Sequence, residues 1–80
     1  MYYLYLLECK DASIYTGITN NVAERFKKHL EKRGGRYTRS HGAKRIIHVE
    51  EYQTKGEALR REMEIKGWGR EKKLFLASKV

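Results

Sequence analysis

Cysteine occurs once in this 80-residue chain, as Cys9, so no disulfide can close within it and no cysteine-rich zinc site can be built. Cys9 reads instead as a small buried strand residue. No stretch approaches the ~18 apolar residues of a membrane-spanning helix. The opening Met1-Tyr2-Tyr3-Leu4 lacks the basic start of a signal peptide, and a cytoplasmic protein with no membrane partner is expected. The phosphate-cradling GxxxxGK loop, the GxGxxG fingerprint and the HExxH motif are all missing, which removes ATP hydrolysis, dinucleotide chemistry and zinc proteolysis. There is no repeat, low-complexity tract or linker, so residues 1–80 read as one domain. A domain this short buries little of its surface, which places any active site near the outside.

Acids are scarce as well. Lysine and arginine number 18 against 10 aspartates and glutamates, a net charge of +8, and such an excess suits a polyphosphate partner. With 40% of residues hydrophobic and 35% charged, the chain has the balance of a folded domain and not of a disordered one. Charge alone does not separate three readings: a nuclease, a non-catalytic nucleic-acid-binding module, and a domain whose basic face meets an acidic protein.

Residues 2–9 are β-rich and apolar at both odd and even positions, the mark of a central strand covered on two sides. Lys10-Asp11-Ala12-Ser13 is a polar turn and residues 14–19 a second strand, so the chain opens with a β-hairpin. A loop of odd length centred near Asp11 or Ala12 pairs odd positions with odd ones and brings Tyr5 and Tyr15 to one face. Asn21 and Glu24 have capping-box spacing, and the helix they open should run to about Arg33, where Gly34-Gly35 stops it. Val22, Phe26 and Leu30 form its expected core stripe, with Arg25 and His29 along one edge of that stripe. Residues 36–44 read as a loop with room for one helical turn, and Ile46, Ile47, Val49 and Tyr52 as a third strand. Thr54 and Glu57 repeat the capping-box spacing ahead of a helix over 55–66. Gly67-Trp68-Gly69 breaks that helix, and a short last helix over 70–78 is expected to lay Leu74, Phe75 and Ala77 on the core. The resulting order, ββαβαα, is an α+β domain with a small, mostly antiparallel three-stranded sheet flanked by helices.

Among polar residues, Glu62 follows Ala58 and Leu59 by four and three positions and so shares their inward-leaning helix face. A carboxylate there either holds a hard cation such as Mg²⁺ or pairs with Lys66 four residues on. Arg25 has the forked, permanent charge that grips phosphate, and His29 can move a proton or orient water. Tyr5 and Tyr15 are phenols with an ordinary pKa of ~10, poor bases unless a neighbour takes or displaces the proton; packing is the alternative role for strand tyrosines. Arg36, Tyr37, Arg39, Lys44 and Arg45 supply cations and one ring for contacts to a nucleic-acid backbone.

In order and spacing these residues resemble the GIY-YIG nuclease superfamily, particularly its short stand-alone bacterial members with a URI-type domain. Tyr3-Leu4-Tyr5 stands where the family has Gly-Ile-Tyr, and Tyr15-Thr16-Gly17 where it has Tyr-Ile-Gly, with the two motif tyrosines ten residues apart. Arg25 and His29 fall where the family's first helix carries an arginine and a histidine or tyrosine, and Glu62 where it carries a metal-binding glutamate. Positions 9–17, 19–20, 25, 37–39 and 62–68 look most like the short branch, and the likeness runs from Tyr3 to about Trp68. The resemblance implies phosphodiester hydrolysis in DNA, non-specific or selective for DNA structure, with one Mg²⁺ or Mn²⁺ on Glu62. It further implies charge stabilisation by Arg25, deprotonation of the attacking water by Tyr5, and placement of water or phosphate by Tyr15, the two tyrosines being interchangeable at this stage. Gly17 would let the strand end and the helix start pack closely. Two departures stand out. Tyr3 replaces the motif's first glycine, and the asparagine that many members carry late in the module has no counterpart, since Asn20 and Asn21 are the only asparagines. The chain is expected to act on nucleic acid, DNA first, as a monomer, with a partner protein as the alternative.

Overall fold

Eight residues with apolar side chains on both faces can only be satisfied in the middle of a sheet. In the computed structural model, which describes residues 1–33 and 35–78, β1 (Tyr2–Cys9) is the central strand of the order β2-β1-β3. Its even positions Leu4 and Leu6 face one layer, with Ile14 and Ile65. Its odd positions Tyr5 and Leu7 face the other, with Ala43, Phe26 and Tyr15. Cys9 is buried in the same strand, as expected.

β2 (Ile14–Thr19) returns antiparallel with Tyr5 opposite Gly17 and Leu7 opposite Tyr15. Odd pairs with odd because the loop holds three residues, closed by hydrogen bonds from Cys9 N–H to the Ser13 carbonyl (2.8 Å) and from Ala12 N–H to the Cys9 carbonyl (3.0 Å). Ala12 takes the left-handed conformation (φ 71°) that closes three-residue hairpins. Tyr5 and Tyr15 therefore share a face, as the loop length requires.

α1 (Val22–Leu30) is capped by the Asn21 side chain, which accepts from the Glu24 N–H. It ends three residues short of Arg33. Lys32 turns left-handed (φ 62°), and the N–H groups of Arg33 and Lys32 bond back to the carbonyls of Lys28 and His29, the Schellman arrangement that ordinarily falls on glycine. Of the two expected stop residues, Gly34 lies outside the described residues and Gly35 follows this closure. The core stripe is also turned relative to expectation. Val22 and Phe26 are half-buried, Leu30 is 51% exposed, and the fully buried residue of the helix is His29. Burying a polar ring over a leucine is tolerable only where both its nitrogens are bonded.

The stretch read as a loop contains α2 (Arg36–His41), a short helix bounded by Gly35 and Gly42, and β3 (Ala43–Tyr52) begins early enough to include Lys44 and Arg45. β3 pairs with β1 through two register shifts, near Leu6/Leu7 and Glu8/Cys9, bulges of the kind edge strands carry. α3 (Lys55–Lys66) opens with the complete Thr54/Glu57 capping box and α4 (Arg70–Ser78) follows, both with the expected bounds. α3 packs on the even face of the sheet through Ala58 and Ile65, while Leu59 is largely exposed. From α4 it is Leu74 and Leu76 that meet the core; Phe75, expected there, is 63% exposed, and Ala77 lies half-buried beside them. Consecutive residues of a helix point about 100° apart, so a three-residue apolar run cannot all face inward. No described helix is long and apolar enough to cross a membrane.

Candidate active site

The odd face of the hairpin presents Tyr5 and Tyr15 side by side, ring centroids 6.2 Å apart. They can approach because position 17 between them has no side chain. A Cβ on Gly17 would lie 2.6 Å from the Tyr5 hydroxyl oxygen and 3.0 Å from Tyr15 Cε2. The glycine thus makes room for a phenol, a different reason from the strand–helix packing expected of it. Gly17→Ala should lower unfolding free energy by about 1–3 kcal/mol, the usual cost of overpacking, because Tyr5 is held at its far end and cannot yield. Urea unfolding checks this, and unchanged stability would mean that the ring is freer than its contacts suggest.

α1 lays its inner edge over these rings. The His29 ring is 5.8 Å from that of Tyr5 and meets Tyr15 edge-on at 5.5 Å. His29 Nε2 lies 2.8 Å from the Tyr5 hydroxyl, and Nδ1 lies 2.7 Å from Thr38 Oγ1 on α2. Arg25, one turn earlier, brings its guanidinium charge to bear on the Tyr5 hydroxyl. The residues that the sequence placed along one helix edge do converge, with His29 as the most buried of them at 1% exposure.

Electrostatics follow from that burial. The His29 imidazole is held down to about 4, first by burial and then by the Arg25 charge, so it is neutral at pH 7. Tyr5 is pushed up to about 12 by burial, with the nearby Arg25 guanidinium opposing and the charges of Tyr15 and Glu62 adding to the rise. The folded chain therefore binds fewer protons at His29 than the unfolded chain does. Stability from this group is complete above about pH 6.5 and declines as pH falls toward 4. Between pH 7 and pH 5 the loss should be about 2 kcal/mol, measurable by denaturant unfolding, and His29→Gln should flatten that slope.

Glu62 arrives from α3. It is 9% exposed, and Lys66 Nζ lies 3.6 Å from its carboxylate, so the salt bridge weighed as an alternative is formed. The pairing does not close the site. A groove of about 510 Å³ opens where the end of β2, the start of α1 and the outer side of α3 meet, and it is lined by both Arg25 and Glu62 together with Asn20, Asn21, Lys28 and Lys55. The carboxylate's charge also acts on the Tyr5 hydroxyl. Glu62 and Arg25 thus share one groove, and the charges of both act on the Tyr5 hydroxyl.

Sequence reasoning gave Thr38, Lys28 and Lys55 no role at the site, and used Asn21 only as a helix cap and Asn20 only as part of the family likeness. Lys28 signalled itself only as the residue three after Arg25, and Lys55 as the first residue after a cap. Among the expected nucleic-acid contacts, Arg36, Tyr37 and Arg39 are exposed on α2. Tyr37 stacks on His41 (4.1 Å, 21°) and lies 5.5 Å from Tyr15. The His41 ring bonds Asp11, tying α2 to the hairpin turn and, with Ser13, holding that carboxyl well below the usual range. Lys44 is exposed at the start of β3. Arg45 donates to Glu8 at 2.7 Å and borders a pocket with Leu74 and Ala77, which puts it on the α4 side of the sheet, away from Tyr5.

A family model described as the GIY-YIG catalytic domain matches residues 1–74. A UPF0213 protein of Cupriavidus necator is 54% identical over 65 residues, covering 81% of this chain and 71% of that protein. One from Staphylococcus saprophyticus is 42% identical over 77 residues, covering 96% and 94%. The solution NMR structure of the UPF0213 protein BH0048 from Bacillus halodurans superimposes with a TM-score of 0.60 at 46% identity, over 98% of this chain and 84% of that one.

Proposed function

This chain belongs to the GIY-YIG family, and on that premise we propose that it is a DNA endonuclease, one that hydrolyses phosphodiester bonds with a single divalent cation and either little sequence preference or a preference for DNA structure. The observation that carries the reading is the Tyr5 hydroxyl, 2.8 Å from a neutral His29 Nε2 and under the charges of Arg25 and Glu62, which share the neighbouring groove.

Tyr5 does not act as a standing phenolate. With a pKa near 12, only about one hydroxyl in 10⁵ is ionised at pH 7, a cost of about 7 kcal/mol. The proton must instead move through it. As water bonds to phosphorus its proton becomes strongly acidic and passes to the Tyr5 oxygen while the phenol's own proton passes to His29 Nε2, giving a short-lived imidazolium whose proton the weakly basic buried ring gives up again to solvent. The bond from phosphorus to the leaving sugar oxygen breaks, and that oxygen takes a proton from solvent. Tyr5 is favoured over Tyr15 because its hydroxyl has an acceptor behind it, whereas Tyr15 meets His29 ring edge to ring. Arg25 has five N–H donors and can hold both Tyr5 and a phosphate oxygen, offsetting charge as phosphorus becomes five-coordinate.

The donor set suits a hard cation that keeps most of its own waters. No three histidines, cysteines, aspartates or glutamates cluster among the described residues, so no protein cage is built, and a Mg²⁺- or Mn²⁺-type ion needs only one or two carboxylates beside phosphate oxygens. Glu62 would hold it. When bound, the ion supplies positive charge at the phosphate and at the leaving oxygen. The groove's Lys28 and Lys55, with Arg36, Tyr37 and Arg39 on α2, would carry the neighbouring backbone; Arg45, engaged by Glu8 on the far side, and Lys44, whose charge acts on that same Glu8, would not.

Purified protein incubated with supercoiled, branched and single-stranded DNA, with Mg²⁺ or Mn²⁺ and with EDTA, tests the reading. Metal-dependent cleavage that elutes with the protein and is absent from a Glu62→Gln preparation supports it. Steeply salt-dependent binding without cleavage would instead establish a nucleic-acid-binding module that has kept the fold. The lack of a late asparagine, with Asn20 and Asn21 the only two in the chain, is the observation that favours this second reading.

A further inference from the structure

The proton path just described requires that His29 Nε2 be the bare nitrogen of the ring, and the following inference rests on that reading. A neutral imidazole carries one hydrogen on either nitrogen. The two nitrogens here face different groups, Nε2 the Tyr5 hydroxyl at 2.8 Å and Nδ1 the Thr38 hydroxyl at 2.7 Å. Arg25, whose charge acts on this hydroxyl, carries only donors and cannot take the phenol's hydrogen. The phenol's own hydrogen still needs an acceptor in a site where Tyr5, His29 and Thr38 are each 1% exposed, and Nε2 is the acceptor in reach. Nδ1 must then carry the ring's hydrogen and donate it to Thr38 Oγ1.

We propose that Thr38 is a positioning residue for cleavage, accepting the His29 Nδ1 hydrogen and so keeping Nε2 bare toward Tyr5. Its own placement is well determined. Its carbonyl accepts from the Gly42 N–H at 2.8 Å, and the neighbouring Arg39 N–H is taken by the Gly35 carbonyl at 3.1 Å. A β-branched side chain on such a fixed backbone has little rotamer freedom. Six-residue α2 thus reaches the chemistry through one hydroxyl while its exposed residues point outward.

Thr38→Val keeps the shape and removes the acceptor. The ring hydrogen then has nothing to bond at Nδ1 and moves to Nε2, where it donates to the Tyr5 oxygen and leaves the phenol's hydrogen without an exit. The decisive measurement is ¹⁵N NMR of protein labelled at its three histidines, His29, His41 and His48, with His29 assigned from His29→Gln. A protonated ring nitrogen is identified by its one-bond coupling to hydrogen. The wild type should show the hydrogen on Nδ1, Thr38→Val should show it on Nε2, and Thr38→Ser should restore Nδ1. In parallel, kcat for DNA cleavage should fall on the order of 100-fold in Thr38→Val with KM within about threefold, and recover in Thr38→Ser.

A wild-type ring protonated at Nε2 overturns the proposal, and that result stands even if the valine variant fails to fold. A valine variant that loses thermal stability and activity but keeps Nδ1–H would reduce Thr38 to a packing residue, also against the proposal. The ring hydrogen is read without any substrate. A protein that cleaves no DNA yet shows the Thr38-dependent switch would therefore refute the nuclease reading and the catalytic use of Thr38, while leaving the hydrogen-bond assignment intact.

Discussion

Glu62→Gln should abolish most cleavage, lowering the single-turnover rate on the order of 10³-fold or more, the scale on which loss of one preorganised charge acts on a phosphoryl transition state. Glutamine keeps the side chain's length and fills the same wall of the groove, so what it removes is a negative charge. The pairing with Lys66, at 3.6 Å and half-exposed on the lysine side, is worth at most about 0.5 kcal/mol as an i, i+4 contact. Melting should therefore shift by no more than about 2–4 °C. DNA affinity measured without divalent ion should rise slightly, since a repulsive charge leaves a groove that already carries Arg25, Lys28 and Lys55. A variant retaining a tenth of the wild-type rate would reduce Glu62 to the helix salt bridge it also makes.

Tyr5→Phe is expected to cost about 10²–10⁴ in rate, the range of general acid–base catalysis, and more than Tyr15→Phe. The phenylalanine fits the same cavity, but it strips the partner from His29 Nε2. An imidazole nitrogen left buried without a partner costs about 1–3 kcal/mol of stability, so this variant should be measurably less stable while Tyr15→Phe is not. Quenched-flow cleavage beside urea unfolding separates the two effects. If Tyr15→Phe proves the more damaging to rate, the proton leaves water through the other phenol and the two tyrosines exchange roles.

The hairpin, the central strand and both α3 and α4 were legible from local signals. The three-residue loop after Cys9 alone sets the register that puts Tyr5 beside Tyr15, and Thr54 with Glu57 marks the α3 start through bonds within four residues. The errors occurred where local preference met a tertiary demand. Leu30 fits the 3.6-residue apolar stripe of α1, yet it faces water because the helix is rolled to bury His29 between Tyr5 and Thr38. Periodicity ranks a leucine above a histidine as core and has no term for two hydrogen bonds waiting in the interior. Phe75 was assigned inward for its apolarity alone, although Leu74 and Leu76 already fill the α4 contact.

The candidate site divides in the same way. Tyr5, Tyr15, Arg25, His29 and Glu62 could be picked out in advance by their likeness to the GIY-YIG pattern, and spacing along strands and helices added which of them share a face. That much is a property of backbone periodicity and is carried by the one-dimensional chain. Thr38 could not be ranked above its neighbours, and Arg45 could not be set apart from Arg39. The difference lies in which side of a three-stranded sheet each one reaches, and that is settled only when α1, α2 and β3 pack. Packing also sets the protonation of the site, because the desolvation that keeps His29 neutral and Tyr5 protonated comes from atoms distant in sequence and exists only in the folded chain.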